Sequence, residues 1–416
     1  MDAIIIRGGN PLHGDVTVSG AKNAALPILA ATLLAHGEHK IKNVPQLHDI
    51  TTMKKLLEHL GCVITMFDGL HISTDKIDSN EAPYELVKTM RASFLVLGPL
   101  LARFHRARVS LPGGCAIGVR PVDLHLKALE ALGVSISLEN GYVNASCAGL
   151  KGTKLLFDIP TVGGTENIMM AASLADGITT IVNAAREPEV VELAQALKSM
   201  GAHMTGEGTD TLVIEGVKEL NPLEHTLMAD RIEAGTFMIA AGITKGAVTI
   251  KNCPLTHMRS IVEKLQEAGL IIEENHTTAH VSWNGSLKPI EVKTLPYPGF
   301  PTDMQAQIMA LCSIAEGTSV IRETIFENRF THVAELERMG ADIRLEQDSA
   351  IITGVKKLRG APVMATDLRA SASLILAALA AEGTTKVSRV YHLDRGYEQL
   401  DEKLKKLGAD IYRIKE

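Results

Sequence analysis

Apolar and polar positions recur along this chain with a period of about 70 residues. An amphipathic stretch that closes on a glycine appears six times: MKKLLEHLG ends at Gly61, LKALEALG at Gly133, LAQALKSMG at Gly201, IVEKLQEAG at Gly269, VAELERMG at Gly340 and LDEKLKKLG at Gly408. The spacings are 72, 68, 68, 71 and 68 residues, so the chain is an internal repeat written six times. Each glycine suits the position just past a helix end, where the backbone turns left-handed. Short alternating runs follow, such as VSISLE then GYVNAS, or ADIRLE then SAIITG, and each pair reads as a hairpin.

Upstream of every amphipathic stretch lies a helix that is apolar nearly all round: AALPILAATLLA, ASFLVLGPLLA, NIMMAASLA, AGTFMIAAGI, MQAQIMALCSIA and ASASLILAALAA. Such helices belong in an interior, and they are too short to span a bilayer. Strands such as VTIKN and TKVSRV lead out of them, so each repeat reads β-α-β-α-β-β, a mixed α/β fold with helices inside sheets. The sixth copy stops at ADIYRIKE without its second hairpin strand, and the N-terminal DAIIIRG and GDVTVSG supply what is missing. Residues near 1 to 20 are therefore expected to pair with the last repeat. Two domains of three repeats follow: 22–229, and 1–21 with 230–416.

A buried helix cannot carry charge along its length, so polar residues at its start are expected to face a rim. Those starts are Lys22-Asn23, Arg91, Glu166-Asn167, Asp230-Arg231, Asp303 and Asp367 with Arg369; the second helices open on His48-Asp49, Arg120, Glu187, His257, Arg329 and Arg395. Under threefold pseudosymmetry the helix N-termini of a domain point one way. Two such faces opposed across a hinge would make an interdomain cleft collecting Lys22, Arg91, Arg120, Arg329, Arg369 and Arg395. Cations and helix N-termini together suit a small, multiply charged anion such as a phosphate that also carries a carboxylate. Helix capping and surface ion pairing are the plain alternative for any one arginine. Asp303, in PTDMQAQ, fits a base for a substrate hydroxyl, an orienting acceptor, or only an N-cap.

Composition narrows this picture mainly by exclusion. A net charge of -6 with interspersed signs, and 4% aromatic residues, offer neither a basic stripe nor a stacking platform, so nucleic acid is not an expected partner. The five cysteines are widely spaced and never C-x-x-C, which indicates no disulfide framework and no zinc site. His36/His39 and His276/His280 lack a carboxylate or thiolate companion and read as surface residues, so no metal site is expected. No phosphate-binding glycine loop of the usual nucleotide-binding kinds is present. The N-terminus MDAIIIRGG has no signal-like character, and a cytoplasmic protein without a membrane partner is expected.

One stretch is chemically loaded: LPGGCAIGVRPVDLHL, from Leu111 to Leu126, sets Cys115 among Gly113, Gly114 and Gly118 ahead of Arg120-Pro121. A loop-borne thiol near a cation and a helix N-terminus would have its pKa drawn below about 8.5 and could serve as nucleophile or acid. The alternative is a small buried hydrophobe.

Seven segments carry a resemblance: GAKNAALP at 20–27, PGGCAIGVRPVDLH at 112–125, NAAREPE at 183–189, YPGFPTDMQAQ at 297–307, FENRF at 326–330, TDLRASASL at 366–374 and HLDRGYE at 392–398. Together they resemble the UDP-N-acetylglucosamine 1-carboxyvinyltransferases, the enolpyruvyl transferases that open peptidoglycan synthesis, and the match spans the chain. The resemblance implies two inside-out α/β barrels of three repeats each. It implies transfer of the enolpyruvyl group of phosphoenolpyruvate to the 3-hydroxyl of UDP-N-acetylglucosamine with release of phosphate, by a monomer needing no metal or organic cofactor. On it, Cys115 is the proton donor, the adduct-forming thiol and the site of fosfomycin alkylation. Lys22, Arg120 and Arg395, with Asn23 alongside, hold phosphoenolpyruvate, and Asp303 meets the attacking hydroxyl. Arg91, the run Arg120, Pro121, Val122, Asp123 and Leu124, and Ile325 line the sugar-nucleotide site, while Arg329, Asp367 and Arg369 belong to the second domain's cleft face. Ile159 and His48 depart from basic residues found in members of the family. The related transferase acting on shikimate 3-phosphate lacks the loop cysteine; a non-catalytic sugar-nucleotide binder would be expected to have lost the lysine, cysteine or aspartate. A thiol hydrolase would need His125 to reach back to Cys115.

Overall fold

The computed structural model describes residues 2–113 and 122–415. Cys115, Arg120 and Pro121, singled out above, lie outside the described residues, as do Gly114 and Gly118. Every repeat forms the same four-stranded sheet, and six such sheets are present among the described residues. In the third, Lys154–Leu156 runs parallel to Ile178–Val182, which pairs antiparallel with Thr211–Glu215, and that strand pairs in turn with His203–Thr205. A parallel pair needs a long crossover where an antiparallel pair needs only a turn. The apolar helix supplies that crossover; here it is Val162–Ala172.

The two kinds of helix bury themselves differently, as their patterns require. Helix Arg231–Ile243 buries all 13 of its residues. Helix Arg259–Glu267 buries Ile261, Val262 and Leu265, a single stripe, and each such side chain contributes roughly 1.5–3 kcal/mol. The six repeat glycines have φ between 88° and 106°, the left-handed geometry expected just past each helix end.

The chain divides into two compact units. One gathers the residues up to Ser19 with those from Ala229 onward, and the other the described residues from Gly20 to Met228. In the first, Ile239, Leu311 and Leu376 of three inner helices pack with Val248, Ile321 and Ile4 of the surrounding strands. In the second, Leu29, Leu101 and Met170 pack with Ile41, Val109 and Ile181. Helices thus lie inside and sheets outside, the mixed α/β arrangement read from the sequence.

The N-terminal strands correct one expectation. Asp2–Arg7 does complete the last repeat, between Thr384–Ser388 and Asp410–Lys415. His13–Thr17 does not; it runs parallel to Ala247–Lys251 in the fourth repeat. The leading strand of the first repeat is Glu224–Thr226, parallel to Glu38–Lys42. Each passage of the chain from one unit to the other falls between a leading strand and the helix that follows it, so two leading strands are exchanged.

Candidate active site

In the unit formed from the chain ends, charged side chains gather around Asp303. The segment Thr302–Met304 is a short 3-10 turn that opens the buried helix Gln305–Cys312, which leaves Asp303 at its rim. Arg329 donates from one Nη to Oδ1 at 2.9 Å, and Arg369 from one Nη to Oδ2 at 2.7 Å. Both guanidinium groups are at most 4% exposed, while the Asp303 side chain is 27% exposed. The carboxylate is therefore held by two buried cations and keeps part of its surface exposed. Burial disfavours the charge on Arg369, but Asp303, Tyr397 and Asp230 together outweigh it and hold the guanidinium above its usual range.

The polar support continues inward. Arg369 lies 5.5 Å from the Tyr397 ring centroid; Gln307 donates to the Tyr397 hydroxyl at 3.0 Å and to the carbonyl of Asp303 at 2.8 Å. Asp367 caps helix Leu368–Ala380, accepting from the backbone N–H of Arg369 and Ala370 at 2.9 and 3.0 Å. Arg395 ends the segment Val390–Arg395 half-buried. Burial first, then Arg395, lowers the pKa of His392, and Asp367 opposes them. Burial, partly offset by Asp367, brings His332 down to about 4, so its imidazole is neutral. Asp303, Arg329, Asp367, Arg369 and Arg395 are thus electrostatic neighbours.

Ile325 sits half-buried on the loop between strand Thr318–Arg322 and Arg329. Glu323, which sequence reasoning missed, fixes that loop: its Oε1 accepts from the N–H of Ile325 at 2.8 Å and of Phe326 at 3.1 Å. Nothing in the hydrophobic pattern marks it. Gln307 and Tyr397 were also missed, although both fall inside the quoted segments PTDMQAQ and HLDRGYE.

The other unit carries the remaining candidates. Lys22 opens helix Lys22–Ala31 and reaches Asp49 Oδ2 at 3.2 Å, with side chains 12% and 6% exposed. Asn23 beside it is exposed. Val122 is buried at the start of helix Asp123–Ala131, Asp123 is exposed and Leu124 half-buried. Arg91 opens the turn Arg91–Val96 and lies near enough to His125 to depress its pKa, which burial chiefly brings to about 3. His125 Nδ1 accepts from the Asn167 amide at 3.2 Å, and its ring meets Phe94 edge-on at 5.4 Å. A buried, neutral imidazole so engaged is a poor base for a thiol, which removes support from the hydrolase alternative.

Three expectations about polar residues need correction. Glu166 and Asn167 do not face a rim; both are buried in helix Val162–Ala172. His39 is not a surface residue. It accepts the N–H of Leu223 at 3.0 Å and lies 3.3 Å from the Thr74 hydroxyl, and burial lowers its pKa to about 4. His36, His276 and His280 are exposed, as are His48 and Ile159. Among the described residues, no three His, Cys, Asp or Glu side chains are grouped to hold a metal ion, and no helix is long and apolar enough to cross a membrane.

Comparison with known proteins agrees with this architecture. A family model described as EPSP synthase (3-phosphoshikimate 1-carboxyvinyltransferase) matches residues 6–404. The chain is 60% identical over full length to the UDP-N-acetylglucosamine 1-carboxyvinyltransferase of Geotalea uraniireducens, with all of both chains covered. It is 58% identical, again over both full lengths, to the enzyme of that name from Thermodesulfovibrio yellowstonii. Among solved structures, the enolpyruvyl transferase NikO from Streptomyces tendae superposes with a TM-score of 0.89 at 26% identity, covering 99% of this chain and 98% of that one. EPSP synthase from Acinetobacter baumannii gives a TM-score of 0.78 at 19% identity with full coverage of both, a likeness of fold.

Proposed function

Because this chain belongs to the carboxyvinyltransferase family, and within it to the UDP-N-acetylglucosamine 1-carboxyvinyltransferases, we propose that it transfers the enolpyruvyl group of phosphoenolpyruvate to the 3-hydroxyl of UDP-N-acetylglucosamine. Phosphate leaves, and the product enters peptidoglycan synthesis. The observation that carries the chemistry is the Asp303 carboxylate, gripped by two buried arginines and itself partly exposed. Identity of 60% over full length to a relative named for the sugar nucleotide supports that acceptor over shikimate 3-phosphate.

In this reading the reaction is an addition followed by an elimination. Cys115 gives a proton to the methylene carbon of phosphoenolpyruvate, and positive charge develops at the neighbouring carbon. Asp303 accepts or orients the proton of the sugar hydroxyl, whose oxygen bonds to that carbon. The adduct then loses a proton from its new methyl group as the carbon–oxygen bond to phosphate breaks, which restores the double bond and balances the protons. Lys22, Arg120 and Arg395 hold the phosphate and carboxylate of phosphoenolpyruvate, with Asn23 beside them. The 3.2 Å contact with Asp49 supports a fixed position for the Lys22 ammonium. Arg91, Pro121, Val122, Asp123, Leu124 and Ile325 contact the sugar nucleotide. Arg329 and Arg369 hold Asp303 in place, and Asp367 keeps Arg369 at the first turn of its helix.

Substitution of the central carboxylate tests this assignment. Asp303→Asn keeps the shape and an acceptor for one of the two arginines but loses the base, so phosphate release with both substrates is expected to slow about a hundredfold in a folded protein. Turnover at the wild-type rate would remove Asp303 from the reaction.

A further inference from the structure

We propose that Glu323 is a positioning residue for acceptor binding and catalysis, tying the loop that carries Ile325 to the turn that carries Asp303. The inference rests on the function proposed above and deepens it. Glu323 follows strand Thr318–Arg322 and is 4% exposed. Its carboxylate takes four hydrogen bonds, three of them on Oε1: from the Thr294 hydroxyl at 2.9 Å and from the N–H groups of Ile325 and Phe326 at 2.8 and 3.1 Å. Oε2 accepts from the Thr302 hydroxyl at 2.9 Å, and Thr302 is the residue before Asp303.

Two routes therefore lead from this carboxylate to Asp303. One passes through Thr302 along the backbone of the 3-10 turn. The other passes through Phe326, whose ring centroid lies 5.5 Å from the Arg329 guanidinium, and Arg329 holds Asp303 Oδ1. Thr294 closes the frame: its hydroxyl also accepts the N–H of Thr324, and its carbonyl accepts the Thr324 hydroxyl. No cation lies among these partners; the carboxylate is engaged by hydroxyls and main-chain N–H groups, the donors that set backbone conformation. Removing it would orphan two loop N–H groups at once.

Kinetics with varied acceptor and varied phosphoenolpyruvate separate this role from general support of the fold. Glu323→Ala is expected to raise KM for UDP-N-acetylglucosamine about tenfold while leaving KM for phosphoenolpyruvate within about twofold. Glu323→Gln is expected to stay within about threefold of wild type in both, because its carbonyl can serve the loop donors while its amide donates to Thr302. Equal rises in both KM values, an unchanged acceptor KM, or Gln as damaging as Ala would overturn the proposal. Thr302→Val, which cuts only the route through the 3-10 turn and leaves the one through Phe326 and Arg329, guards against a Glu323→Ala protein that does not fold. It is expected to lower kcat about fivefold with both KM values within about twofold, and an unchanged kcat would overturn the coupling. A wild-type protein inactive with UDP-N-acetylglucosamine would instead defeat the functional reading itself.

Discussion

The thiols of this chain differ in reactivity for reasons that can be assigned residue by residue. Cys62, Cys253 and Cys312 are buried, and burial pushes each up to about 12, where almost no thiolate exists at neutral pH. Cys147 is half-buried and is also raised by burial, less strongly. These four are therefore poor nucleophiles, and the glycine-flanked Cys115 is expected to react first. Timed alkylation followed by peptide mass mapping should mark Cys115 well before Cys147, with the other three labelled only on unfolding. Even labelling of all five would contradict a loop-borne catalytic thiol. The spacing of glycines around Cys115 made that candidate legible in the sequence. Asp303 and Arg369 were legible too, since each interrupts an apolar pattern at a helix start, and Arg329 because it precedes an amphipathic helix. Glu323 was not, because it follows an ordinary strand and its role comes from the approach of Thr294 and Thr302.

At the scale of single elements, the buried helix Val162–Ala172 carries a titratable group that its apolar neighbours do not prepare for. Glu166 is 3% exposed, and its Oε1 makes no hydrogen bond among the described residues. Burial, then the like charges of Glu189 and Glu187, raises its pKa well above 4.5. The folded chain thus keeps a proton that the unfolded chain loses above 4.5, so this group's stabilising contribution is full below that pH and is lost as pH rises toward the folded value. Glu166→Gln mimics the protonated form and removes the titration. Urea denaturation at about pH 5.5 and about pH 8 should show wild type losing stability relative to the variant as pH rises, by up to about 1.4 kcal/mol per pH unit. A difference that does not change with pH would contradict a protonated Glu166. The sequence announced this helix as buried. It did not announce which of its polar residues would go inward, because a glutamate one turn from a helix start can reach either a rim or a neighbour, and only packing decides.

For the whole molecule, the sixfold repeat was legible because each copy must solve the same problem of burying an apolar helix beneath a sheet whose other face meets water. The exchange of leading strands was not. His13–Thr17 precedes helix Lys22–Ala31 at the spacing of an ordinary repeat, and strand pairing over more than 200 residues leaves no local trace, as the partnership of His13 with Ala247 illustrates. The central claim concerns the acceptor, and phosphate release from phosphoenolpyruvate tests it most directly. The reaction is run with UDP-N-acetylglucosamine or with shikimate 3-phosphate, before and after thiol alkylation. Release with the sugar nucleotide alone, abolished by alkylation, is the expected result. Release with shikimate 3-phosphate, or with neither acceptor, would contradict the account.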